Sequence, residues 1–211
     1  MLELGLKFTL AYLLGSVLGS LIVGRLRGGV DIRKLGSGNA GGTNALRTQG
    51  KIFAFWVMLI DIGKGALPVM VFPTLAIPGV DIDPLVSREA IAYAAGFGAI
   101  LGHVYPLWYD FKGGKGGATA AGVLFVVAPS LALPIILFWV GVIVLTGYVG
   151  LATMGAAVGV AVFIGVTGIP YAYRMFVLAA LIAVLIVFTH RNNIARMLQG
   201  TEARINLFRT G

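Results

Sequence analysis

The length of its apolar runs constrains this chain more than any other feature. A helix needs about 20 consecutive apolar residues to cross the hydrocarbon core of a bilayer. From Leu4 to Val23 the sequence reads LGLKFTLAYLLGSVLGSLIV, with Lys7 as its one charge. From Ala118 to Ile169 it is almost continuously apolar, too long for one crossing. An ordinary soluble domain carries about 25% charged residues, whereas 11% of these 211 residues are charged and 58% are hydrophobic. Such a composition is matched to lipid and cannot supply the polar surface of a water-exposed globule.

Breaks in the apolar pattern divide the chain into seven expected spans: 4–23, 52–75, 90–109, 118–130, 133–147, 150–168, and a last one from Pro170 to Thr189. Pro129, Pro134 and the trio Thr146, Gly147 and Tyr148 supply the breaks in the long run. Six spans compete if the region around Pro129 re-enters without crossing. The first run lacks a basic start, a short apolar core and a cleavage site, so it reads as a retained span. Gly15, Ser16, Gly19 and Ser20 offer it a small-residue face for a neighbouring helix. Residues 1–211 are therefore expected to form a single all-α polytopic membrane domain.

Charge placement orients it. Cytoplasmic connectors are enriched in Lys and Arg, and residues 25–51 hold six basic residues against one acid. Lys112 and Lys115 follow the third span; Arg191, Arg196, Arg204 and Arg209 follow the last. The connector with Asp81, Asp83, Arg88 and Glu89 falls on the other face. Seven spans then put the amino terminus outside, the carboxyl terminus in the cytoplasm and every polar motif on the cytoplasmic side. Because the formal charge of +8 sits in these connectors, nucleic-acid binding is not implied. The absence of Cys excludes disulfides and thiol catalysis.

Four constellations carry possible chemistry. The stretch Ser37-Gly-Asn39-Ala-Gly-Gly-Thr43-Asn44, followed by Arg47, can wrap an oxyanion with backbone N–H groups and a guanidinium, or be an ordinary glycine-rich turn. Asp61 and Lys64 share a helix face inside the second span, as a buried clamp or as part of a site open to the cytoplasm. The stretch Lys112-Gly113-Gly114-Lys115-Gly116 at a helix start can hold a phosphate but lacks Walker spacing; a charged hinge is the plainer reading. His103 just before it is a general base, a phosphate donor, or a tie between a span end and the loop. His190 and Asn193, on one face if the helix continues, can hold a reacting hydroxyl or carbonyl oxygen, or simply end a span. No HExxH, carboxylate cluster or GxSxG elbow is present, so no metal site and no serine-hydrolase elbow is expected.

The ordered set SGNAGGTNALR (37–47), DIGKG (61–65), GHVYPLWYDFKGGKGGAT (102–119) and HRNNIARMLQGTE (190–202) covers about a quarter of the chain. It resembles the bacterial acyl-phosphate:glycerol-3-phosphate acyltransferases, the PlsY family. The resemblance implies a multi-pass enzyme of the bacterial inner membrane, with its active site facing the cytoplasm. Its implied reaction moves a fatty acyl group from long-chain acyl phosphate to the sn-1 hydroxyl of glycerol 3-phosphate, giving lysophosphatidic acid and phosphate. No cofactor and no metal is implied; the partners are the two substrates and membrane lipid, and a monomer suffices. Carried over by motif, Ser37, Arg47, His190 and Asn193 are catalytic. Asn39, Thr43, Asn44, Lys64, Lys112, Gly113, Gly114, Lys115 and Gly116 bind substrate. Acyl phosphate is already activated, so direct attack is expected, with the proton going to His190 or to a substrate phosphate. The family's Thr-Arg-Tyr-x-Ser pattern is broken here by Gly147 and Gly150, so compensation by Lys112, Lys115 or Arg47, or altered affinity, is expected. A small organic-phosphate transporter is the competing function, although no inverted repeat is evident.

Overall fold

A computed structural model describes residues 1–168 and 172–205, all helix, turn and connector. Ile169, Pro170 and Arg209, which figure in the expected spans and charge pattern, lie outside the described residues. The chain divides into two compact units, Met1–Val127 and Ala128–Gly211.

The first unit holds α1 (Leu2–Gly15), α2 (Gly19–Leu26), α3 (Gly42–Gln49), α4 (Lys51–Val71), α5 (Arg88–Val104) and α6 (Gly117–Val127). Its abundant glycine has a packing purpose. A Cβ on Gly15 would stand 2.1 Å from the Ala99 carbonyl oxygen, and one on Gly102 would stand 2.0 Å from that of Tyr12. Helices α1 and α5 thus meet backbone to backbone. Helices α4 and α6 do the same, through Gly65 against Thr119 and Gly122 against Ile62. In lipid, where apolar side chains gain little by leaving their surroundings, such close approach is a main source of helix association.

The first span is broken. Between α1 and α2 the backbone leaves the helix at Val17 and Leu18, and in hydrocarbon the freed groups must find partners. Lys64 Nζ donates to the Val17 carbonyl at 2.7 Å, and the Gly19 N–H donates to Asp61 Oδ1 at 3.2 Å. The ammonium therefore meets the carbonyl end of one helix and the carboxylate meets the N–H end of the next, each favoured by the helix dipole. The two side chains also pair with each other at 3.0 Å and are almost fully buried. Of the two readings open for Asp61 and Lys64, the buried clamp describes their geometry.

At the far end of the same unit, Glu3 accepts from Lys7 Nζ at 2.7 Å, from Arg88 Nη2 at 3.0 Å and from the Asp83 N–H at 3.0 Å. The terminal ammonium of Met1 pairs with Asp83. Lys7, the lone charge of the first apolar run, is thereby neutralised within its own helix at i,i+4.

The second unit holds α7 (Ala132–Thr146), α8 (Val149–Thr167), α9 (Tyr173–Thr189) and α10 (Arg191–Leu198). Helix α8 packs against both α7 and α9, with the Phe138 ring over Gly155 and the Phe176 ring against Gly165. Leu133, Leu137, Phe138 and Leu145 leave α7 with a broad exposed apolar face, as lipid contact demands.

Among the described residues, five helical stretches are long and apolar enough to cross a membrane, and a sixth arises if α9 and α10, bent by 53°, count as one. A helix occupies each of the seven expected places, but α6 has only 11 residues. At 1.5 Å per residue it rises about 16 Å, roughly half the hydrocarbon thickness. The seven-span expectation thus becomes a multi-pass protein with five to six spans by length. The difference lies in α6, where helical continuity stops short of Pro129, and in α9, whose 17 residues reach span length only when joined to α10.

Candidate active site

Two loops lie at one end of the first unit, because α4 leaves that end as α5 returns to it. The first loop is organised by Asn44, which is 1% exposed. Its Oδ1 accepts from the Ser37 N–H at 2.9 Å, and its Nδ2 donates to the carbonyls of Ile32, Leu35 and Asn39 at 2.9–3.0 Å. Gly36 passes so near that a Cβ there would stand 2.4 Å from Asn44 Oδ1. The amide serves the site by holding the loop, with Ser37 and Gly38 left exposed at its crest. Thr43 lies in the first turn of α3 and Arg47, also exposed, near its end.

Asp31 accepts from the Arg33 N–H at 3.0 Å and pairs with its guanidinium at 2.9 Å. That guanidinium holds the Asp31 carboxyl below its ordinary value and raises Arg33 in turn. Because the folded value is depressed, the pair's contribution is complete at neutral pH and fades only as the pH falls through that depressed value. The Arg33 guanidinium also lies 5.3 Å over the Tyr109 ring, linking this connector to the second loop.

The second loop follows α5. The Gly113 N–H donates to the Val104 carbonyl at 3.2 Å and the Gly114 N–H to that of His103 at 3.0 Å. Gly116 has φ +87°, which L side chains rarely adopt, and turns the chain into α6. Lys112 is exposed, Lys115 is half-buried, and both precede the first turn of an 11-residue helix. With the Gly113 and Gly114 N–H groups bonded to those carbonyls, the first-turn N–H groups and dipole of α6 and the lysine ammoniums are what favour an oxyanion here. Lys64, expected beside it, is 5% exposed and engaged by Asp61 and Val17. His103 is 2% exposed, with Nδ1 3.5 Å from Asp61 Oδ1. Its ring packs beside Asp61 of α4, and its backbone carbonyl is the one that receives the Gly114 N–H. Its approach to Asp61, 42 positions away, gave no signal in the sequence beyond the burial implied by a span end.

In the second unit, the helix bends at His190, whose Nδ1 is 2.8 Å from the Ile186 carbonyl oxygen. A carbonyl only accepts, so Nδ1 carries the proton and in the neutral ring Nε2 is the basic nitrogen. Asn193 Nδ2 donates to Glu202 Oε1 at 2.6 Å, and Arg196 Nε donates to the other oxygen at 2.6 Å. Glu202 accordingly fixes both the expected site residue and its neighbour. The two departures from the family pattern have structural counterparts here. Gly147 has φ +76°, and a Cβ there would meet Arg204 Cβ at 2.8 Å. The Arg204 guanidinium lies 4.9 Å over the Tyr148 ring. Gly150 lies directly under the Asn193 side chain, 3.3 Å from where its Cβ would be.

Together these features define a class: a multi-pass, all-helical integral membrane protein with two glycine-rich, lysine- and arginine-bearing loops at one end of its first unit. The sequence profile of the glycerol-3-phosphate acyltransferase family matches residues 6–200. The glycerol-3-phosphate acyltransferase of Aquifex aeolicus (strain VF5) is 40% identical over 194 residues, covering 92% of this chain and 95% of its own. A crystal structure of PlsY (YgiH), an integral membrane glycerol 3-phosphate acyltransferase, in its glycerol 3-phosphate form superposes with a TM-score of 0.82 at 38% identity, covering 98% of this chain and 99% of its own. The lysophosphatidic acid form gives 0.80 at 37% identity, covering 96% and 95%. The chain belongs to the glycerol-3-phosphate acyltransferase family, in its PlsY branch. It is an acyltransferase of phospholipid synthesis.

Proposed function

We propose that this enzyme transfers a long-chain acyl group directly from acyl phosphate to the sn-1 hydroxyl of glycerol 3-phosphate. The hydroxyl oxygen bonds to the acyl carbonyl carbon, the bond from that carbon to the phosphate oxygen breaks, and lysophosphatidic acid and inorganic phosphate leave. No acyl-enzyme is needed, because the donor is already activated. The hydroxyl proton passes to a basic group, His190 Nε2 or an oxygen of a substrate phosphate.

The observation that carries this reading is the lysine-bearing glycine loop running into the N-terminus of α6, at the same end of the unit as the exposed crest of the first loop. Two phosphate-bearing substrates repel each other, and cations with fixed N–H dipoles offset that repulsion and stabilise charge on the departing phosphate. Lys112, Gly113, Gly114, Lys115 and Gly116 take the phosphate of glycerol 3-phosphate. Ser37, Asn39, Thr43 and Arg47 engage the reacting end, on a loop held by Asn44. Lys64, clamped with Asp61, supports the site indirectly by bracing the first span. His190 and Asn193 of the second unit keep the catalytic roles that their motif implies.

The 211 residues act as a single acyltransferase domain of the bacterial inner membrane, with seven membrane-embedded helices and α6 a short one. The amino terminus lies outside, and the loops and the carboxyl terminus lie on the cytoplasmic side, as the positive-inside bias favours. No cofactor and no metal enters the reaction. Purified enzyme supplied with palmitoyl phosphate, and separately with palmitoyl-CoA, tests the donor. Acylation from the phosphate alone is expected; acylation from the thioester alone would overturn the assignment.

A further inference from the structure

The first unit contains a buried titratable group that the reaction does not use, His103, and its surroundings tie it to one residue of the glycine loop. The ring is 2% exposed. Its Nδ1 faces Asp61 Oδ1 at 3.5 Å, and Asp61 is itself anchored by Lys64 and the Gly19 N–H. On the other side the ring meets Gly114. A Cβ built on Gly114 would stand 2.0 Å from His103 Nε2, 2.8 Å from Cε1 and 3.0 Å from Cδ2, and these are its three nearest heavy atoms. Gly114 has no positive φ, so its backbone admits an L side chain. The imidazole is what stands nearest in the way. Gly113 differs, because a Cβ there would strike the His103 and Val104 carbonyl oxygens and Pro106, which shortening His103 does not move.

We propose that His103 is the positioning residue of the glycine loop: its ring, backed by Asp61, is the surface on which Gly114 is seated, and it thereby sets the loop for the phosphate of glycerol 3-phosphate. The proposal rests on that loop's binding role. The loop leads directly into α6, so a shift of Gly114 moves Lys115 and the first N–H groups of that helix, and hydrogen bonds to an oxyanion weaken as their geometry departs from the ideal. A ring that seats the loop therefore governs glycerol 3-phosphate affinity, and it leaves the acyl donor and the chemical step alone.

The test is a pairwise cycle on purified enzyme, with KM for each substrate and kcat measured separately. His103→Ala and Gly114→Ala should each raise the glycerol 3-phosphate KM about tenfold, with kcat and the acyl phosphate KM changed less than about threefold. The double variant should have a KM no higher than His103→Ala alone, because the clash disappears with the ring. Gly113→Ala should gain nothing from His103→Ala. His103→Asn, shorter but still polar toward Asp61, runs the same cycle if the Ala variant does not fold. An unchanged KM in the His103 variants, or effects in the double variant that simply multiply, would overturn the proposal. Lys115→Ala separates the two levels: no KM change there would count against the loop's binding role, whereas a raised KM there with none in the His103 variants would count against the seating alone.

Discussion

His190 shows how hydrogen bonds prepare a single residue for its proposed role. The Ile186 carbonyl fixes which ring nitrogen carries the proton, and a histidine so oriented is suited to take a proton or hold a hydroxyl. His190→Ala should lower kcat by about 100-fold or more while the protein elutes and melts as the parent does. Unchanged turnover would remove His190 from the chemistry. Lys115→Ala should chiefly raise the glycerol 3-phosphate KM, since a cation that holds the substrate equally in ground and transition states acts on binding; a steady-state titration reads it directly. The residue types at these positions were legible from the sequence, because phosphate chemistry draws on few side chains. Asn44 was less so: its type suggested a ligand, but its amide is engaged by four backbone groups of its own loop. Only the fold of the loop could reveal that.

Among the elements, the broken first span and α6 taught most. Small residues at positions 15–20 signalled helix contact, and Gly15 does meet α5. The break after Ser16 left no proline to mark it, and its cause lies on another helix, in Lys64 and Asp61. Losing one partner of a buried, hydrogen-bonded ion pair costs about 3–5 kcal/mol. Lys64→Met should therefore lower the melting temperature in detergent clearly. Adding Asp61→Asn should cost less than the two single effects summed, and strict additivity would argue against the clamp. In the second unit, Gly147→Arg forces a side chain onto a backbone at φ +76° and into Arg204. It should destabilise by about 1–3 kcal/mol, and a thermal melt equal to that of the parent would contradict the packing. The sequence was least informative about the spans at α6, for a related reason. Hydropathy records how apolar residues 118–130 are, but not that the helix among them ends at Val127.

For the whole molecule, the few charges divide by place. One end of the first unit gathers the two basic loops, and the other gathers Glu3, Asp83 and Arg88 into a neutralised cluster with the amino terminus. This asymmetry predicts orientation. The chain has no native Cys, so single cysteines report cleanly. A membrane-impermeant maleimide applied to intact spheroplasts should label Asp81→Cys and spare Arg27→Cys, and the reverse pattern would invert the topology. Class and chemistry were readable at this scale because composition and motif order are properties of the chain itself. The arrangement that serves the chemistry was not, since it depends on contacts such as that of His103 with Asp61, far apart in sequence. Direct acyl transfer is the central claim, and one assay tests it most directly. Purified enzyme is reconstituted in liposomes with radiolabelled glycerol 3-phosphate and palmitoyl phosphate. Labelled lysophosphatidic acid with one phosphate released per acyl group transferred is the predicted result; uptake of label into the vesicles without acylation would contradict it.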